Sequence, residues 1–329
     1  MSLLSIEDLT LLLPAVARRP VLDGVSLTVG RGEVVGLVGE SGSGKSVTAR
    51  AVIGLTPRGA EVTGRIAVDG LDVRGADRRA LRALRSSTVS MVFQDPRAGI
   101  NPLRSIGDFM TEALVRNRDV PRADARRRSL ELLDAVGLPE PERHLRQHPH
   151  ELSGGMLQRV MIAAALTTDP SLLLCDEPTT ALDVTTQAEI IAILSRLQRD
   201  RGMGVLFITH DLDLASAICD RVYVMYAGRI VEQSTASAVF DRPRHPYTAG
   251  LLASTPDILG EHVRLVPARR SVWMSGPRAA RSPRGVRTST RRGARRAPRR
   301  WSPSTSTARR TRRRASARTR SPASSSTSD

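Results

Sequence analysis

The sequence predicts an α/β fold: a mainly parallel sheet wound on both faces by helices, with an antiparallel β edge and a helical insert. Three observations predict it. A glycine-rich loop, Gly39 to Ser46, lies between an apolar run, Glu33 to Val38, and helical apolar spacing from Val47 to Leu55. From Met156 to Met225, short apolar runs alternate with segments of helical spacing, the order that builds a parallel sheet. Between about residues 105 and 150 the strand-like runs stop, and helical spacing takes over.

In chain order, residues 3–9 and 25–29 read as strands leading to the glycine loop, and Gly64 to Asp69 as another before the turn at Gly70. These supply the antiparallel edge. Ser86 to Phe93 reads as a strand running into Gln94-Asp95-Pro96. The insert follows, at about residues 95–160, with helices over Ile106–Val115 and Ala123–Val136 and Gly137 as a stop. Met156–Leu166 is a helix opened by glycines; Leu172–Cys175 is a strand, Val184–Leu197 a helix, Val205–Thr209 a strand, Leu212–Ile218 a helix and Val222–Met225 a strand. No internal repeat is present.

Length and composition set outer limits. A chain of 329 residues can bury one large core or two small ones. No run of about 18 apolar residues occurs, which predicts a soluble protein or one peripheral to a membrane. Cys175 and Cys219 lie inside apolar segments without ligand spacing, which predicts a reduced interior over a disulfide framework. The net charge of +17 is localised: residues 1–261 hold 30 Lys/Arg against 32 Asp/Glu, residues 262–329 hold 20 against 1. The reading is a nearly neutral folded domain, 1–261, and a basic low-complexity tail, 262–329, whose Arg, Ser, Thr, Pro and Ala cannot bury enough apolar surface to fold.

The chemistry begins at Lys45, the single lysine among 50 Lys plus Arg. In Gly39-Glu40-Ser41-Gly42-Ser43-Gly44-Lys45-Ser46 the glycines let successive backbone N–H groups turn inward on phosphates, the compact ammonium reaches the terminal ones, and the Ser46 hydroxyl ligates Mg²⁺. The apolar strand Leu172–Cys175 ends in Asp176-Glu177; strand C-termini in a parallel sheet face the ligand crevice, so both carboxylates emerge beside the loop. Asp176 then holds the cation and Glu177 polarises the attacking water. Ser153-Gly154-Gly155 opens a helix and forms a second anion-binding device; one nucleotide already occupies the chain's own loop, so this device points to a nucleotide held by another subunit. His144, His148 and His150 read as a solvated loop, not a metal site, and Arg126-Arg127-Arg128 as a solvated helix face balanced by Asp124 and Glu131.

Six motifs in order carry a family resemblance: Gly39 to Ser46, Gln94, Leu152-Ser153-Gly154-Gly155-Met156, Leu172 to Glu177, Ala181-Leu182-Asp183 and His210. Over residues 3–256 the chain resembles ATP-binding-cassette (ABC) transporter ATPase subunits, a P-loop NTPase fold. The resemblance implies that Lys45 and Ser46 are Walker A contacts and Asp176 and Glu177 the Walker B pair. It makes Ser153 to Gly155 the signature completing a partner's site, Asp183 the D-loop, and His210 the switch on the γ-phosphate. Gln94 becomes the Q-loop residue, joining Mg²⁺ and the lytic water to the insert that touches membrane subunits. Val92-Phe93-Gln94-Asp95-Pro96, Ile100-Asn101-Pro102-Leu103, Asp176-Glu177-Pro178-Thr179-Thr180-Ala181-Leu182-Asp183-Val184-Thr185, Met225-Tyr226-Ala227-Gly228-Arg229 and His245-Pro246-Tyr247-Thr248 look like the peptide and nickel importer branch. That branch implies ATP and Mg²⁺ as cofactors, two membrane permeases, a second and different ABC ATPase subunit, and an extracytoplasmic solute-binding protein. It places the chain at the cytoplasmic face of the inner membrane, with di- or oligopeptides as cargo. Nickel or another small solute is the alternative cargo. A non-transport ABC ATPase using its tail on nucleic acid is the rival, but the coiled-coil inserts or tandem cassettes it needs are absent.

Three departures stand out. Met156 replaces the general family's Gln, as this branch often accepts. No aromatic residue precedes Phe93, so the family's adenine-stacking aromatic is missing, and Arg18, Arg19 or a residue near Val16 has to cover the base. The branch's cysteine-bearing C-terminal extension is replaced from about Pro267 by Arg-Ser-Pro-Thr bias, consistent either with a frameshift in a GC-rich gene or with a natural basic tail.

Overall fold

The computed structural model describes residues 2–13, 19–180 and 182–254. The first strands are β1 (Leu4–Leu12), β2 (Leu22–Val29) and β3 (Val34–Val38), followed by helix α1 (Lys45–Val52). Next come β4 (Glu61–Val68), β5 (Leu71–Asp72), α2 (Arg78–Ala83) and β6 (Val89–Val92). The insert contains α3 (Ile106–Asn117), α4 (Arg122–Ala135) and α5 (Pro141–Arg146), and α6 (Gly154–Ala165) returns to the sheet. The remainder is β7 (Leu172–Asp176), α7 (Val184–Arg201), β8 (Gly204–Thr209), α8 (Leu212–Ile218), β9 (Arg221–Tyr226), β10 (Arg229–Thr235), α9 (Ala236–Asp241) and α10 (Pro246–Ser254). Among the described residues, no helix is long and apolar enough to cross a membrane.

The main sheet has the order β10-β9-β3-β8-β7-β6, parallel throughout except for the antiparallel β10. Its central strands are buried on both faces. Leu172 and Leu174 of β7 and Leu206 and Ile208 of β8 face one core, while Leu173, Cys175, Val205 and Phe207 face the other. Continuous apolar runs of this kind are what a sheet covered by helices on both sides requires.

The antiparallel strands differ from the expected edge. They form a sheet of their own, β2-β1-β4-β5, and only β10 is an antiparallel edge of the main sheet. The reason lies in their one-sided patterning: β1 buries Leu4 and Ile6, then Leu9 and Leu11, while Glu7 and Asp8 stay exposed. Such strands cannot enter a sheet buried on both faces, so they lay their apolar side over α1 and one face of the main sheet. The parity change from even to odd positions coincides with register shifts between Ile6 and Leu9 and with Asp8 at φ +50°. This bulge keeps all four apolar side chains on the core face.

The insert helices α3 and α4 pack on α6, and α5 packs on α3 and α4, in a cluster that includes Ile106, Met110, Leu132, Leu133, Leu145 and Leu157. Ser105 starts α3 by accepting from Asp108 N at 3.1 Å, and Gly137 at φ +72° follows α4 as expected. The strand expected from Ser86 starts only at Val89. Residues Leu84–Thr88 form a π-helical turn in which the Ser86 and Ser87 hydroxyls donate to the Ala83 carbonyl at 3.1 and 2.8 Å.

His144 does not lie in a solvated loop. It is buried on α5, a helix begun by Pro141, with Nδ1 2.7 Å from Gln147 Oε1. His148 and His150 flank Pro149, and the His148 backbone N–H donates to Glu151 Oε2 at 2.6 Å. Arg127 pairs with Asp124 at 2.9 Å and Arg128 with Glu131 at 3.9 Å, the expected solvated face. Val16, Arg18 and Ala181, together with the boundary at 261/262 and the basic tail, lie outside the described residues.

Candidate nucleotide site

Strand β3 lies between β8 and β9 and delivers the glycine loop to the carboxyl end of the parallel strands. The loop's entry is fixed by Gly39. It has φ +151°, and a Cβ there would lie 2.2 Å from the Met225 carbonyl oxygen, so only glycine fits against β9. Lys45 folds back over the loop, its Nζ donating to Gly39 O at 2.7 Å and Glu40 O at 2.9 Å. Ser46 Oγ donates to Asp176 Oδ1 at 2.7 Å, bridging the start of α1 and the end of β7.

Burial makes this arrangement costly without a ligand. Lys45 is 4% exposed, and loss of hydration pulls its ammonium below the usual lysine range against the opposing pull of Glu177, Asp176 and Glu40. Asp176 is fully buried, which pushes its carboxyl up, partly offset by the Ser46 hydrogen bond. Its second oxygen, Oδ2, is buried with no partner, as is Ser43 Oγ in the loop. A buried carboxylate oxygen left bare beside a serine hydroxyl suits a hard, oxygen-seeking cation such as Mg²⁺.

Glu177 is the hub of a second group. Its N–H continues the ladder by donating to Ile208 O at 3.0 Å, and its φ is +48°. That turn aims the carboxylate at three partners on separate segments. Gln94 Nε2 and Thr180 Oγ1 each donate to Glu177 Oε2 at 3.0 Å, and His210 Nδ1 lies 3.2 Å from the same oxygen. Thr180, Gln187 and His210 line an adjoining cleft of about 260 Å³. Gln94, expected to join Mg²⁺ and the lytic water to the insert, thus meets Glu177, the carboxylate read as acting on that water. Thr180 belongs to the importer-branch segment after Glu177 but was given no role in the site; its signal is a hydroxyl three residues after Glu177.

Ser153, Gly154, Gly155 and Asp183 form a separate cluster. Ser153 caps α6, accepting from Met156 N at 3.3 Å, and Asp183 caps α7, accepting from Thr186 N at 3.0 Å and Thr186 Oγ1 at 2.7 Å. Those bonds hold the Asp183 carboxyl below the usual range. A Cβ on Gly155 would meet Thr186 Cγ2 at 2.7 Å, so a side chain there would push the two helix starts apart. Among the described residues, no hydrogen bond joins Ser153–Gly155 to the glycine loop.

Arg19, one of the residues expected to cover adenine, is exposed. Without an upstream aromatic to seat the base, base recognition is expected to be weak and poorly selective, with ATP and GTP competing within roughly threefold, a difference under about 1 kcal/mol. A nucleotide competition assay checks this; a preference for ATP of tenfold or more would rule it out.

Residues 22–180 match the family described as ABC transporter, and residues 231–296 match that described as oligopeptide/dipeptide transporter, C-terminal region. A peptidoglycan transport ATP-binding protein of Agrobacterium fabrum is 49% identical over 77% of this chain and 47% of its own length, so the chain spans about half of that relative. A probable D,D-dipeptide transport ATP-binding protein of Escherichia coli is 45% identical over 75% of this chain and 76% of its own. A solved ATP-binding cassette, dimeric and in a post-hydrolysis state with ADP and Pi, superposes with a TM-score of 0.63 at 28% identity, covering 71% of this chain and 98% of that one. With both families matched and a dipeptide-transport relative 45% identical over 76% of its own length, this chain belongs to the ABC transporter ATP-binding subunits, in the oligopeptide/dipeptide branch.

Proposed function

We propose that this chain is the ATP-hydrolysing subunit of an ABC importer for di- or oligopeptides, peripheral to the cytoplasmic face of the membrane. It works with two permeases, a second and different ABC ATPase subunit, and an extracytoplasmic solute-binding protein. The observation that carries the reading is the bare Asp176 Oδ2 beside Ser46 and Lys45, with Glu177 held a residue away by Gln94, Thr180 and His210.

Each ATP lies between the Lys45 loop of one subunit and the Ser153-Gly154-Gly155 helix start of the other. Ser46 and Asp176 are the residues that would hold Mg²⁺, which when bound neutralises charge on the β and γ phosphates. Lys45 exchanges its carbonyl partners for phosphate oxygens, and His210 turns from Glu177 to the γ-phosphate. Freed of those donors, the Glu177 carboxylate orients the attacking water and accepts its proton. Gln94 leaves Glu177 in the same movement and carries the change into the insert.

The test is co-purification. An N-terminally tagged Glu177→Gln protein, trapped with MgATP in its own cell, should bring down two permeases and a second ATPase from detergent-solubilised membranes. Recovery of nucleic acid or ribosomes without membrane subunits would overturn the importer reading.

A further inference from the structure

The His245-Pro246-Tyr247-Thr248 motif marks the branch, yet nothing in the hydrolysis scheme uses it. The fold brings it to the glycine loop. Glu232 on β10 accepts from the backbone N–H groups of Arg244 at 2.8 Å and His245 at 3.0 Å, anchoring the segment that begins α10. The Tyr247 N–H then donates to His245 Nδ1 at 3.1 Å, closing the turn. The Tyr247 ring packs against Tyr226, with centroids 4.3 Å apart and planes inclined by 38°. Tyr226 follows Met225, whose carbonyl oxygen is the atom that confines Gly39.

From this seat the Tyr247 hydroxyl accepts from the Glu40 N–H at 3.1 Å. The Glu40 nitrogen and the Gly39 carbonyl belong to one planar peptide, and that carbonyl holds the Lys45 ammonium at 2.7 Å. The tyrosine therefore grips one end of the plate whose other end holds the lysine. Accepting from the N–H also polarises the amide and strengthens its carbonyl as an acceptor. Burial pushes the Tyr247 hydroxyl above the usual phenol range, so at neutral pH it stays un-ionised.

We propose that Tyr247 is a positioning residue for ATP, acting through the Gly39–Glu40 peptide to set where Lys45 meets the phosphates. The proposal rests on the ATPase reading above. It gives α10 a role at the nucleotide, coupling the branch-specific C-terminal region to occupancy of the loop: whatever displaces α10 loosens the lysine's seat.

The test is Tyr247→Phe in the full chain, which keeps the ring on Tyr226 and removes only the oxygen. Three quantities are measured against wild type: the MgATP dissociation constant, the melting temperature, and exchange of the Glu40 amide without nucleotide. The expected result is MgATP binding about three- to tenfold weaker, the size of one neutral hydrogen bond, and faster Glu40 exchange, with the melting temperature within about 3 °C. Unchanged affinity or unchanged Glu40 exchange would overturn the proposal, as would a larger fall in melting temperature, which would assign the effect to packing. Wild-type protein that binds no MgATP would refute the ATPase reading itself, while the Glu40 exchange, read without nucleotide, would still decide the contact.

Discussion

Glu177→Gln is expected to bind MgATP within about twofold of wild type and to turn over at least about 100-fold more slowly, because the substitution removes the proposed general base and little else. The local geometry supports so clean a separation. The two donors that meet Glu177 Oε2, from Gln94 and Thr180, need an acceptor oxygen, with His210 Nδ1 3.2 Å away, and a glutamine presents one at the same reach. Shape and hydrogen bonding survive; the basicity needed to take a proton from water does not. Filter binding or calorimetry gives the first quantity, and phosphate release the second. Undiminished phosphate release would show that another group activates the water.

Gly154→Asp abolishes hydrolysis while leaving ATP binding to the isolated subunit intact. A Cβ at Gly154 would meet only Leu182 Cδ2, at 3.9 Å, so the side chain fits within the subunit. An acidic residue in the first turn of α6 even favours the helix, by about 0.3–1 kcal/mol, through its dipole. In the proposed arrangement the damage falls on the partner's nucleotide, whose γ-phosphate would meet a carboxylate where it needs free N–H groups. Turnover is expected to fall at least about 100-fold, with monomer affinity for MgATP within about twofold and melting temperature equal or higher. Turnover that survives this change would place the functional site within one subunit and remove the need for a facing partner.

Much of this site was legible because its residues act through backbone next to them in sequence. A phosphate loop is a local object: glycines, lysine and serine between a strand and a helix are enough to declare it, and β3, the loop and α1 lie as expected. Asp176 and Glu177 were legible for the same reason, as the end of a strand with no choice but to point at the crevice. The misreadings have a different physics. The separation of β1, β2, β4 and β5 into their own sheet depends on which face each strand buries, and a bulge at Asp8 obscures that by shifting the alternation partway along β1. The π-helical turn at Leu84–Thr88 is set by serine hydroxyls bonding back to Ala83, a choice periodicity does not register. Tyr247 was visible only as a family mark, since its partner lies 207 residues away and is a backbone N–H without any side-chain signature.

One feature of Glu177 reaches beyond catalysis. An L-residue with a long side chain at φ +48° sits where asparagine or glycine would rest more easily, at a cost of about 1 kcal/mol or more. Glu177→Asn, which suits that backbone and keeps an amide oxygen as an acceptor, is thus expected to melt at or above the wild-type temperature while hydrolysing nothing, and calorimetric melting checks the first half. Thermal robustness and turnover pull in opposite directions at this position. A thermostability screen blind to activity would discard a carboxylate that the proposed hydrolysis requires.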